Sequence, residues 1–237
     1  MQPEQQRLDA CADWYLNRQL DFDHRLIEYR FRVLRPWLRG GEGLELGPAE
    51  GQMTQRLLPL FSHLTVVDAA AGLLARIPDD PRLTKVRALF EDYQPERRFD
   101  AIVMEHILEH VESPARLLRR ARGWLRRGGR LFVGVPNGHS LHRLVAVKMG
   151  LLNHPCERNE RDHRLGHRRV YTPAGFRREL EAAGLRIVHF GGVFLKPLSN
   201  AQIETQWDEA MLEGFYQLGK EMPEYAAELH AVCESRR

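Results

Sequence analysis

Cysteine is scarce in this 237-residue chain, with only Cys11, Cys156 and Cys233. They are odd in number, far apart and form no CxxC pair, which fits neither a disulfide framework nor a zinc knuckle and points to a reducing compartment. Long apolar runs are missing too. None approaches the ~20 residues needed to cross a bilayer, and the opening residues lack the apolar centre of a secretory signal. The expectation is a cytoplasmic protein with no membrane partner. Charge of one sign is also lacking: 35 basic residues face 32 acidic ones, for a formal net charge of +3. So even a balance gives little long-range field for gathering a polyanion, and a nucleic-acid partner is unsupported. There is no internal repeat and no low-complexity tract.

What is present is an ordinary globular composition, 43% hydrophobic and 28% charged, on a chain long enough for one α/β domain with some decoration. After an opening that reads as helical over Leu8–Arg18 and Asp21–Leu38, apolar runs alternate with amphipathic stretches from Gly43 onward. That alternation is the signature of βαβ units and a parallel sheet. Strands are predicted at Leu44–Leu46, Leu64–Val67, Thr84–Arg87, Ala101–Met104 and Arg130–Val135, with a sixth at Leu185–Phe190. Helices are predicted over Pro114–Arg127, Leu141–Met149, Phe176–Ala183 and near Trp207–Leu218. The alternation is interrupted at about 138–170 by a segment rich in histidine and arginine, expected to lie over the strand ends as a cover. Residues 1–40 are expected to be a helical extension or lid, and 41–237 the main α/β domain.

The first strand leads into Glu45-Leu46-Gly47-Pro48-Ala49-Glu50-Gly51, where a helix begins. Glycine lets a backbone approach a ligand closely, and the free amides of a helix start favour an anionic group. Roughly 20 residues on, Asp68 ends the second strand, where it can accept two ribose hydroxyls. Loop and acid together indicate an adenosine-containing ligand. Glu45 narrows the choice, because a carboxylate beside a pyrophosphate would be repelled across a poorly screened gap. S-adenosylmethionine offers instead an ammonium for Glu45 and a carboxylate for the helix amides.

The loop, Asp68 and the run Phe99-Asp100-Ala101-Ile102-Val103-Met104-Glu105-His106-Ile107-Leu108-Glu109-His110-Val111 resemble the motifs of class I methyltransferases, nearest the small-molecule branch of quinone-biosynthesis O-methyltransferases. Leu125–Leu131, Val135-Pro136-Asn137 and Val170-Tyr171-Thr172-Pro173 extend the likeness, which spans about Leu44 to Phe190. The resemblance implies a Rossmann-like, doubly wound sheet of seven mostly parallel strands, with Ala226–Cys233 as an antiparallel last strand. It implies that Glu45, Gly47, Pro48 and Gly51 hold the methionine part, that Asp68 and Ala69 hold the ribose, and that Phe90, Glu91 and Glu105 lie near the rest of the cofactor. An acid common after the third strand is replaced by Leu89, so the adenine contact is either backbone or Glu91. It also implies methyl transfer to a small molecule, leaving S-adenosylhomocysteine. The expected acceptor is a hydroxyl of a sugar or secondary metabolite; the alternatives are a small amine, an inactive methyltransferase-like binding subunit or an RNA or protein methyltransferase. A homodimer is a possible assembly. Tyr15, Asn137, Arg168 and Tyr171 are the expected acceptor contacts.

His106-Ile107-Leu108-Glu109-His110 matches the inverted zinc-protease pattern H-x-x-E-H. Such a site needs both histidines on one long helix, whereas this run follows a strand, so no metal is expected. His106, at the strand end, and His167, just before Tyr171-Thr172-Pro173, are the candidate general bases, with His163 behind them. The loop that carries His163 and His167 could equally be a solvated one. The arginine-rich face of Pro114–Arg127 reads as solvated, because no aromatics interleave for base stacking. Tyr15, Phe22, Tyr29 and Phe31 fit either a lid over the acceptor or a buried seam.

Overall fold

The computed structural model describes residues 21–236; the expected helix Leu8–Arg18 and Tyr15 lie outside them. Helix α1 spans Asp21–Leu34, and Pro36 turns its continuation into the single 3-10 turn Arg35–Trp37. Strands β1 (Glu42–Leu46), β2 (His63–Asp68) and β3 (Leu83–Arg87) follow, separated by α2 (Gln52–Leu57) and α3 (Ala71–Leu74). Next come β4 (Phe99–Glu105), α4 (Pro114–Trp124) and β5 (Leu125–Pro136). The helix expected to reach Arg127 stops short at Trp124. Leu125 pairs with Phe99 and is buried against the sheet, so its side chain is satisfied there and not on the helix.

The cover contains α5 (Leu141–Lys148) and the short α6 (Glu160–Arg164). So short a helix is held by its capping box: Asn159 Oδ1 accepts from the Asp162 amide, and Asp162 Oδ2 accepts from the Asn159 amide, both at 2.9 Å. After α7 (Pro173–Ala182) and β6 (Leu185–Val193) come α8 (Asn200–Gln206), α9 (Glu209–Glu221) and β7 (Glu228–Ser235). The helix expected near Trp207–Leu218 is α9, and α8 is a further helix in the stretch before it.

The seven strands lie in the order β3-β2-β1-β4-β5-β7-β6, with β7 antiparallel to both neighbours and the first five strands parallel. Alternate strand residues go to opposite faces. In β4, Ile102 and Met104 join the apolar cluster that includes Leu117, Phe176 and Leu180 of α4 and α7. Ala101 and Val103 join the other, with Leu26, Tyr29 and Leu212 of α1 and α9. Burial on both faces is why the strands read as nearly continuous apolar runs. Phe22 and Tyr29 belong to this seam: the Tyr29 ring stacks on Phe194 and Tyr216, with centroids at 5.6 and 4.5 Å.

Successive strands run outward from β1 in one direction and from β4 in the other, so their carboxyl ends open a crevice at the switch point. Phe132, fully buried mid-sheet, belongs to the second of the two apolar clusters. Phe132→Ala is expected to cost about 3–5 kcal/mol, read as a lower urea midpoint with an unchanged slope.

Candidate active site

A cavity of about 380 Å³ opens at that switch point, a size suited to small ligands. One half is built by the turns that follow β1, β2 and β4. Gly47 (φ +72°) and Gly51 (φ +90°) both lie in the left-handed region, where glycine carries no steric penalty. A Cβ on Gly47 would come within 2.3 Å of the Ile107 side chain, so only glycine fits the bottom of the turn. Phe90 faces the same point at 3.6 Å and lines the cavity, as do Pro48 and Glu105.

Three acids dominate this half. Glu45 is buried and accepts a 2.7 Å hydrogen bond from the Thr54 hydroxyl. Burial pushes its carboxyl up to about 7, Thr54 offsets part of that rise, and Glu105 and Asp68 add to it. Asp68 is pushed up to about 6 by burial, against the stabilising Ala70 amide that donates to it at 2.8 Å. Glu105 is likewise raised to about 7 by burial, although Arg30 and His106 draw it down. Neither Glu45 nor Asp68 has a cation partner among the described residues. A buried carboxylate without a counter-charge favours a cationic ligand. The half-cavity therefore suits a ligand that brings positive charge and hydrogen-bond donors to these carboxyls.

The other half lies under α1, α5, α6 and the segment before β7. Leu26, Ile27 and Arg30 of α1 line it, and Arg30 forks onto Glu228 with two 2.6 Å hydrogen bonds. Asn137 lines it as well, with its amide committed to the carbonyls of Glu224 and Ala226 at 2.9 and 2.8 Å. His167 is buried, lines the cavity, and has Nδ1 2.9 Å from Asp162 Oδ1. Asp162 is held ionised, at about 2, by His167, the Asn159 amide and Arg143 against the opposing effect of burial.

His106 corrects the expectation of a base at that position. It sits in a left-handed turn (φ +57°) just beyond β4, a strained geometry for a residue with a side chain. There its Nδ1 lies 3.1 Å from Glu109 and its Nε2 3.2 Å from Glu228. Burial and Arg30 push its pKa down, but the two carboxylates outweigh them and raise it to about 9. With a carboxylate within 3.2 Å of each ring nitrogen, neither nitrogen is free to take a proton from an acceptor. The zinc-protease pattern is not realised either, since residues 106–110 form a turn and not a helix. Glu109, His110 and His167 do bring one donor atom each within 4.8 Å of one another; Glu109 is engaged with His106, and His167 with Asp162.

Other expected residues fall away from the cavity wall. His163 is exposed on α6. Glu91 is half-buried beside Phe90 without lining the cavity, and Ala69 is buried behind Asp68. Gly51 caps α2 through its backbone. Tyr171 packs edge-on against Phe176 in the core, and Arg168 Nε donates to the His110 carbonyl at 2.9 Å. Asp23, Arg143, Lys196 and Glu228 line the cavity without having been foreseen.

A doubly wound seven-stranded sheet with this strand order, a glycine turn under a buried glutamate and an aspartate closing β2 define a class I S-adenosylmethionine-dependent methyltransferase. The sequence pattern of the methyltransferase-domain family matches residues 17–190, most of the chain, and the protein belongs to that family. It is 26% identical over 171 residues to a ubiquinone biosynthesis O-methyltransferase of Aeromonas salmonicida, covering 69% of this chain and 70% of the relative. A protein of the same description from Xylella fastidiosa is 33% identical over 119 residues, 46% of this chain and about half (48%) of its own length. The N-methyltransferase NodS from Bradyrhizobium japonicum, solved with S-adenosylhomocysteine, superposes with a TM-score of 0.62 at 17% identity, covering 100% of this chain and 98% of its own. The cofactor is S-adenosylmethionine. No helix among the described residues is long and apolar enough to cross a membrane.

In the folded protein Glu45 keeps its proton up to about pH 7, whereas the unfolded chain releases it near 4.5. The native state binds more protons between these values, so this group's contribution to stability falls as pH rises through that window. Glu45→Gln is expected to stabilise the ligand-free protein above pH 7 by roughly 1–3 kcal/mol, seen in thermal melts, while weakening S-adenosylmethionine binding about tenfold or more. A variant that melts lower and binds normally would contradict this role.

Proposed function

We propose that the enzyme methylates a hydroxyl oxygen of a small molecule, in the class of sugars and secondary metabolites, with His167 as general base and Asp162 as the group that orients it. The observation that carries this reading is the buried His167–Asp162 pair on the wall of the cavity, 2.9 Å apart. A carboxylate on Nδ1 fixes the ring and its tautomer and leaves Nε2 to accept a proton. Arg143 and the Asn159 amide hold Asp162 in turn, at 3.1 and 2.9 Å.

The cofactor supplies a methyl group on a cationic sulfur, open to in-line displacement. The chain's own part is chiefly alignment, which can account for roughly 7–11 kcal/mol of a barrier. Gly47, Glu45 and Asp68 fix one reactant. The α1 wall, with Leu26, Ile27 and Arg30, confines the other and limits the water around it. Removal of the hydroxyl proton by His167 as the new bond forms completes the step. His106 serves as a fixed positive strut, tying Glu109 to Glu228. The O-methyltransferase description of the two curated relatives supports oxygen as the accepting atom.

A panel of hydroxylated and amino-bearing small molecules, scored by S-adenosylhomocysteine release and by mass spectrometry of the product, tests this reading. With the best acceptor, His167→Ala is expected to lower kcat about 100-fold or more and to leave S-adenosylhomocysteine affinity unchanged, and Asp162→Asn to follow it. Methylation of nitrogen only, wild-type turnover by His167→Ala, or cofactor binding with no turnover on any acceptor would each reject the proposal.

A further inference from the structure

The cover half of the cavity is lined by three guanidinium groups and one ammonium. Each guanidinium has a carboxylate partner: Arg30 with Glu228 at 2.6 Å, Arg143 with Asp162 at 3.1 Å and Arg161 with Asp23 at 2.7 Å. Lys196, just beyond β6, does not. Its Nζ donates to Asn200 Oδ1 at 2.7 Å and forms no ion pair among the described residues. The acid that acts on it most strongly, Asp23, is engaged elsewhere: both its oxygens accept from Arg161, and one also accepts from Asn200 Nδ2 at 2.8 Å. An ammonium carries three donors, so two remain for a partner outside the chain.

The surroundings compensate this charge only in part. Burial, with Arg161 and Arg143, lowers the Lys196 pKa to about 8, and Asp23 and Glu228 restore only part of it. His142, on α5, adds no charge: burial, Lys196 and Arg143 depress its ring to about 2, and its Nδ1 has no hydrogen-bond partner among the described residues. The cavity is thus polarised, with unpaired carboxylates at the cofactor end and an unpaired ammonium at the other.

We propose that the acceptor enters as an anion, with a carboxylate or similarly acidic oxygen lying against Lys196 Nζ. This rests on the cover half being the acceptor pocket. It adds the substrate class to that reading, since a hydroxylated acid gains a charge-assisted contact that its amide or ester lacks. The charge on Lys196 would also reject cationic acceptors.

Calorimetric titration of the protein loaded with S-adenosylhomocysteine tests the proposal, using benzoate and hexanoate against benzamide and hexanamide. The wild-type protein is expected to bind the acids about tenfold or more tighter than the amides. Lys196→Met should remove that preference and Lys196→Arg retain it, with S-adenosylhomocysteine affinity and melting temperature preserved in both. Acids and amides binding alike or not at all, or a preference that survives in Lys196→Met, would overturn it. The readout is binding and not turnover, so it is independent of whether His167 acts as the base.

Discussion

Glu45, Asp68 and Glu105 share a crevice from which most water is excluded, and each is held above its ordinary carboxylate range mainly by that loss of hydration. For Glu45 alone, the rise from 4.5 to about 7 corresponds to an unfavourable free energy on the order of 3 kcal/mol when the group is ionised. A fold does not keep such groups together for stability. In the proposed function their cost is offset when the cofactor brings an ammonium, a cationic sulfur and a sugar diol into the same space. The glycine turn serves that purpose, since the place where a Gly47 Cβ would lie is taken by Ile107, and so does the β1/β4 switch point that leaves the strand ends open.

A second network closes the cavity from above. Arg30 of α1 forks onto Glu228, Glu228 lies 3.2 Å from His106, and His106 lies 3.1 Å from Glu109. One chain of alternating charges thus ties α1, the turn after β4 and the start of β7. Glu228 reaches this position because β7 runs antiparallel between β5 and β6, pairing its first residue with Pro136 on one side and Val193 on the other. The insertion of β7 into the sheet is in this sense part of the site: it supplies the carboxylate that His106 Nε2 and the Arg30 guanidinium both face.

Most of the cofactor half was legible in the sequence because it is local. Strand, glycine turn, helix start and Asp68 follow one another in order, and their spacing carries the geometry. The strands were legible for the same reason, as apolar runs between turn residues. The cover half was not, because its wall is assembled from Asp23, Arg143, Lys196 and Glu228, which only the topology brings together. Residue type also misled at His106: a histidine at a strand end reads as a base, but the left-handed turn delivers it between two carboxylates that no pattern near it announces. Arg168 and Tyr171 lie beside a motif and were expected at the acceptor. In an irregular segment no periodicity fixes side-chain direction, and one holds the His110 carbonyl while the other enters the core.

The central claim is that unpaired, partly protonated carboxylates hold a cationic nucleoside. Calorimetric affinity for S-adenosylmethionine between about pH 5 and about pH 8 tests it most directly, because the carboxyls raised to about 6 and about 7 must lose their protons to bind. The affinity should rise steeply across that range and proton release should accompany binding at its acid end. A flat profile without proton release would contradict it.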